Sequence, residues 1–151
     1  MIYLQLAETL TDPPDVNLLE HAAAQTLLYA TAPADADLTI VLTDDEQLHQ
    51  LNLQFLGIDA PTDVLSFPDG EEDPDTHVPY LGDILISLPR AQAQALAGGH
   101  RLVDELQLLV VHGVLHLLGH DHAEPEEKQR MWQAQDAILP ALGCAILSPA
   151  S

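Results

Sequence analysis

The sequence is short of cations, of thiols and of long apolar runs, and each shortage removes a class of function. Only Arg90, Arg101, Lys128 and Arg130 carry fixed positive charge, against 24 Asp and Glu residues, which leaves a net charge of -20. Proteins that grip RNA or DNA with their own surface gain most of that affinity by neutralising phosphates with Lys and Arg. A strong autonomous nucleic-acid grip is therefore disfavoured, and the surplus carboxylates read first as a solubilising surface. The single cysteine, Cys144, excludes an internal disulfide. Lying outside every polar cluster, it reads as a small buried hydrophobe rather than a nucleophile. No apolar run approaches the roughly 18–20 residues of a membrane span, and Met1-Ile2-Tyr3-Leu4-Gln5 lacks the basic start of a secretory signal. The expectation is a cytoplasmic protein with no membrane partner.

What is present is an ordinary globular composition, 47% hydrophobic over 151 residues, which fits one domain spanning 1–151. No internal repeat occurs, and the Pro/Asp/Glu-rich patches are short enough to be loops. An apolar strand runs from Ile2 to Leu6. Val16, Leu18, Leu19, Ala22, Ala23, Leu27 and Leu28 then recur at helical spacing. Asp37 to Leu42 reads as a strand, and Thr43 followed by Glu46 has capping-box spacing for a helix carrying Leu48 and Leu51. Thr62 to Pro68 reads as a strand, Asp69 to Pro79 as an acidic loop, and Leu81 to Ser87 as another strand. Helices follow over Arg90 to Ala97, Leu102 to Leu118 and Glu126 to Leu139. Strands early and helices late, without regular alternation, predict an α+β fold in which a small mixed β-sheet is covered by helices.

The informative segment is His112-Gly113-Val114-Leu115-His116-Leu117-Leu118-Gly119-His120-Asp121-His122. Residues four apart share a helix face, so His112 and His116 can present imidazole nitrogens to one ion. Gly119 can take the left-handed conformation that ends a helix and turns the chain back, which lets His122 close the site. Three imidazoles suit zinc best, with nickel, copper and iron still open on ligand type alone, and they leave a fourth position for water, the arrangement of a hydrolytic zinc site. Asp121 either relays a proton and orients a ligand or simply forms the turn after the helix. His120 is expected to point away, and the isolated His21, His49, His77 and His100 read as ordinary. The zinc helix is metzincin-like in spacing, but metzincins place a glutamate general base after the first histidine, where this chain has Gly113. Glycine moves no protons, so peptide hydrolysis by that route is disfavoured.

With those residues in view, the chain resembles the YbeY family of bacterial endoribonucleases. The resemblance also rests on Leu51-Asn52, on the run Asp59-Ala60-Pro61-Thr62-Asp63-Val64-Leu65-Ser66-Phe67-Pro68 and on Leu81-Gly82-Asp83-Ile84, over roughly residues 36–143. It implies zinc held by three histidines, metal-dependent cleavage of single-stranded RNA, precursors of small-subunit ribosomal RNA as substrate, and the small ribosomal subunit and its proteins as partners. One departure stands out: where the family carries an arginine ahead of the Thr-Asp-Val-Leu-Ser-Phe run, this chain has Leu56. Leucine offers neither the charge nor the fork of donors that pairs with phosphate. Thr62 and Asp63 either cap a local turn or line the cleft facing the metal. Asp83 is either a buried partner of the site or an edge-strand carboxylate, and with Asp121 it is the candidate catalytic residue. Two alternatives to the nuclease remain open. One is a ribosome-associated zinc protein without catalysis, and the other a zinc hydrolase of a small or peptide substrate.

Overall fold

A computed structural model describes residues 1–8, 10, 14–32, 36–72, 74–75, 78–120 and 124–144, with the backbone alone described at 70–72. Asp121 and His122 lie outside the described residues, as does His77. The order is β1 (Ile2–Leu6), α1 (Val16–Tyr29), β2 (Asp37–Thr43), α2 (Asp45–Leu56), β3 (Val64–Glu72), β4 (Pro79–Ser87), α3 (Leu88–Gly98), α4 (Leu102–Leu117) and α5 (Pro125–Ala141). The four strands form one mixed sheet in the order β1-β2-β4-β3. β1, β2 and β4 run parallel, and β3 pairs antiparallel with β4 at one edge. The architecture is the α+β type that the sequence pattern predicts.

Period-two alternation divides the sheet between two cores. Leu38, Ile40 and Leu42 of β2 and Ile84 and Ile86 of β4 join Leu19 and Ala23 of α1, Val110, Val114 and Leu115 of α4, and Met131 and Leu139 of α5 in the main core. On the opposite face Leu65 and Leu85 meet Leu48 of α2 in a smaller cluster with Val41, Leu51 and Phe67. The helix carrying the histidine pair is therefore buried along its length, with α1 and α5 packed against it. A buried helix is a rigid platform for side chains at its open end.

Two local readings differ from what is found. The segment read as an acidic loop from Asp69 is partly strand: β3 continues to Glu72, where Glu71 pairs with Tyr80 and Glu72 with Pro79 beyond a register shift after Pro68. Asp, Gly and Glu are poor strand formers, but sheet propensity reflects surroundings, and an antiparallel neighbour carries the ladder past them. The second difference is the cap of α2. The N-cap is Asp44 rather than Thr43, and its carboxylate accepts from the Gln47 backbone N–H at 2.9 Å. The capping spacing is displaced by one residue, to Asp44 and Gln47, while the Thr43 hydroxyl donates to the Gln47 side-chain oxygen.

Gly113 sets how closely α4 approaches the sheet. A Cβ there would lie 2.8 Å from Cγ2 and 3.2 Å from Cδ1 of Ile84, which is fully buried. Gly113→Ala gains roughly 1 kcal/mol of helix propensity but overpacks a stiff β-branched neighbour at about 1–3 kcal/mol. The overpacking is expected to win, lowering the thermal midpoint by about 2–4 °C for each kcal/mol lost. A midpoint equal to or above that of the parent would refute this account of the contact.

Candidate metal centre and its cleft

The described ends of the site are α4 and the turn that follows it. Gly119 adopts φ +98°. The His120 N–H donates to Leu115 O at 3.0 Å and the Gly119 N–H to His116 O at 3.0 Å. This pair of bonds is the Schellman arrangement, which a positive-φ glycine makes possible without steric cost. The helix thus stops at Leu117, one residue beyond His116.

His112 and His116 come together as the four-residue spacing requires. Their Nε2 atoms are 3.1 Å apart and their ring centroids 4.7 Å apart. Two Zn–N bonds of about 2.0–2.1 Å at a tetrahedral angle separate the donor nitrogens by roughly 3.4 Å, so the pair fits one such ion with little movement. Behind them, Nδ1 of His112 lies 2.7 Å from Oε1 of Gln135, which is buried on α5. An amide oxygen only accepts, so Nδ1 carries the proton and Nε2 presents its lone pair towards His116. The Trp132 ring packs beside His112 with centroids 5.9 Å apart. Among the described residues no group of three His, Cys, Asp or Glu side chains gathers as a metal site. The expected third ligand, His122, is outside them.

Both imidazoles open into a cleft of about 320 Å3 lined also by Leu56, Thr62, Asp63, Val64, Ser66 and Pro68. Thr62 and Asp63 sit in the segment that carries the chain from α2 to the edge strand β3. Of their two sequence readings, the cleft-lining one describes their position. Ser66 donates from Oγ to the Gly113 carbonyl at 3.3 Å, tying the cleft's strand wall to its helix wall. Leu56, 58% exposed, stands at the last position of α2 on the same cleft. Position 56, where the family resemblance implies an arginine, therefore faces the histidines.

Asp83 is not brought to this cleft. Its neighbour Ile84 points at Gly113 of α4, so Asp83 faces the other side of the sheet, the side that carries α2. There the Tyr80 hydroxyl donates to it and also meets Thr39 Oγ1 at 2.8 Å. Burial pushes the Tyr80 phenol above its ordinary pKa, and the hydrogen bond to Asp83 adds to the rise. Nor is Asp83 on an edge, because β4 lies between β2 and β3. Its place is explained by strand alternation and the Tyr80 contact, and we assign it no part in the chemistry. His49 and His100 each meet a carboxylate, Asp59 and Glu105, at 2.6 Å, which accounts for two of the isolated histidines.

Gln135 is the residue that sequence reasoning missed. Its one signal is a polar side chain four residues after Met131 and three before Ile138 on a helix face otherwise apolar and buried. Gln135→Leu is expected to leave the fold intact and to weaken divalent-metal binding about 10–100-fold, because the orientation of His112 is lost while both imidazoles stay. Competition with a metallochromic chelator measures it, and an unchanged affinity would remove Gln135 from the site.

Comparison with known proteins converges on one family. A family model described as "Endoribonuclease YbeY" matches residues 7–143. The chain is 46% identical to the endoribonuclease YbeY of Chloroflexus aurantiacus, with 95% of this chain and 97% of that relative covered. It is 40% identical to the protein of the same description from Geobacillus kaustophilus, over 85% of this chain and 86% of the relative. Among solved structures, the solution structure of TM1509 from Thermotoga maritima matches with a TM-score of 0.62 and 26% identity, covering 94% of this chain and 89% of that one.

Proposed function

The chain belongs to the endoribonuclease YbeY family, and from that premise we propose that it is a zinc-dependent endoribonuclease of the cytoplasm, built as one hydrolase domain, that cuts single-stranded precursors of small-subunit ribosomal RNA. The observation that carries the reading is the convergence of the His112 and His116 Nε2 atoms on one open cleft with the Nδ1 of His112 already fixed by Gln135. His122 is the third ligand in this reading, on the strength of its spacing after Gly119, and Asp121 is its neighbour for proton transfer. When bound, zinc supplies a Lewis acid for phosphodiester hydrolysis.

The chain's own residues do the rest. Gln135 holds one imidazole in the tautomer that leaves its ligating nitrogen bare. Thr62, whose hydroxyl otherwise reaches only its neighbour Asp63 at 3.5 Å, gives the cleft a hydroxyl donor for a phosphate oxygen, and Asp63 gives it an acceptor for a hydroxyl or water proton. Gly113 leaves no room beside Ile84 for the glutamate of a metzincin, which weighs against peptide hydrolysis. Leu56 on the cleft favours a second reading, a zinc protein of the small subunit that has kept its metal and lost its nuclease. Metal analysis after chelator-free purification, with cleavage assayed on a structureless oligoribonucleotide, decides between them. Zinc with cleavage supports the nuclease, and zinc with intact RNA supports the second reading.

A further inference from the structure

We propose that a second cleft, formed by Leu118, Gly119, His120, Glu127 and Arg130, is a phosphate subsite in which Arg130 holds a phosphodiester neighbouring the one cut at the histidines; this rests on the nuclease reading above. The cleft measures about 430 Å3 and begins two residues after His116, where the Gly119 turn carries the chain out of α4.

The argument is one of available charge. An RNA strand presents a phosphate at every nucleotide, and among the described residues the histidine cleft is lined by no Lys or Arg to meet one. Two of the chain's four cations are already engaged. Arg90 forks onto Asp45 through Nε at 2.8 Å and Nη2 at 2.9 Å, and its guanidinium holds the Asp45 carboxyl below its usual value. Arg101 reaches Asp104 at 2.9 Å. Lys128 and Arg130 make no ion pair among the described residues, and of these two only Arg130 lines a cleft bordering the end of the histidine helix. A guanidinium in an open cleft pairs with phosphate oxygens through parallel N–H donors, and the His120 ring adds a further donor. Glu127 lines the same cleft and opposes it, so the two side chains pull the affinity in opposite directions.

That opposition gives the test its sign. Zinc-loaded full-length protein and its Arg130→Gln, Glu127→Gln and Lys128→Gln variants are assayed for cleavage of a labelled, structureless oligoribonucleotide across a series of salt concentrations. Arg130 is exposed, so its substitution leaves the fold in place. Expected for Arg130→Gln is a KM about three- to tenfold higher at unchanged kcat, with a salt dependence shallower by about 0.7 in log–log slope, one single-strand phosphate contact. Glu127→Gln is expected to lower KM, and Lys128→Gln, an equal loss of charge outside the cleft, to change it less than about twofold. An Arg130→Gln variant that keeps the parent KM and salt slope, or that merely matches Lys128→Gln, overturns the subsite while leaving the nuclease standing. A parent protein that holds zinc and cuts no RNA overturns the nuclease reading, and the subsite falls with it; the parent assay alone identifies that case.

Discussion

His116→Ala is expected to abolish tight metal binding and to lower RNA cleavage by more than about a hundredfold. The size follows from what the substitution leaves behind. Loss of a residue that only orients a ligand costs about 10–100-fold in affinity, and His116 is itself one of the two nitrogens, 3.1 Å apart, that define the site's described half. With His116 gone, His112 keeps its bond to Gln135 but has no helical partner one turn away. The helix should survive, since its apolar anchors Val110, Val111, Val114 and Leu115 are all fully buried and untouched. Circular dichroism would then match the parent while metal analysis and cleavage both fall. A variant that still cuts RNA at the parental rate would sink the metal mechanism, whatever its zinc content.

The parts of this site that were legible in the sequence are those fixed by rules acting within a few residues. The His112–His116 pair follows from helix periodicity, and the Gly119 turn from the conformational freedom of glycine just past a helix end. The apolar spacing of α1 and α4 was legible for the same reason. What stayed hidden depends on partners distant in sequence. Asp83 could be placed only once β4 was known to lie between β2 and β3 with Ile84 turned towards Gly113. The Gln135 contact joins residues 23 apart on two helices, and nothing local to α5 announces it beyond a polar residue in an apolar row. The strand beyond Pro68 was hidden because the ladder to β4 overrides the poor strand propensity of its residues. The cap of α2 shifted by one because Thr43 and Asp44 both satisfy the local rule. Strand pairing then took Thr43 for β2.

Leu56→Arg is expected to raise cleavage of single-stranded RNA by about ten- to a hundredfold. A guanidinium there would supply a forked donor to the phosphate whose negative charge grows during attack, and single donors of that kind are worth about 10²–10³-fold in well-built sites. The discount reflects exposure: Leu56 is 58% exposed, so the new charge would act partly through water. Exposure also means the exchange costs the fold little. Asp63 lines the same cleft and would compete for the guanidinium. An exposed ion pair is worth about 0–1 kcal/mol, whereas a charge-assisted bond to phosphate is worth about 1.5–3 kcal/mol, so the substrate should win. The comparison with the parent then carries the functional decision. If the parent is inert and Leu56→Arg cuts RNA, the natural chain is a nuclease fold that gave up catalysis with this one cation. If the parent already cuts and the substitution adds nothing, the apolar wall is part of a working cleft and the reaction at the histidines proceeds without a cation at position 56.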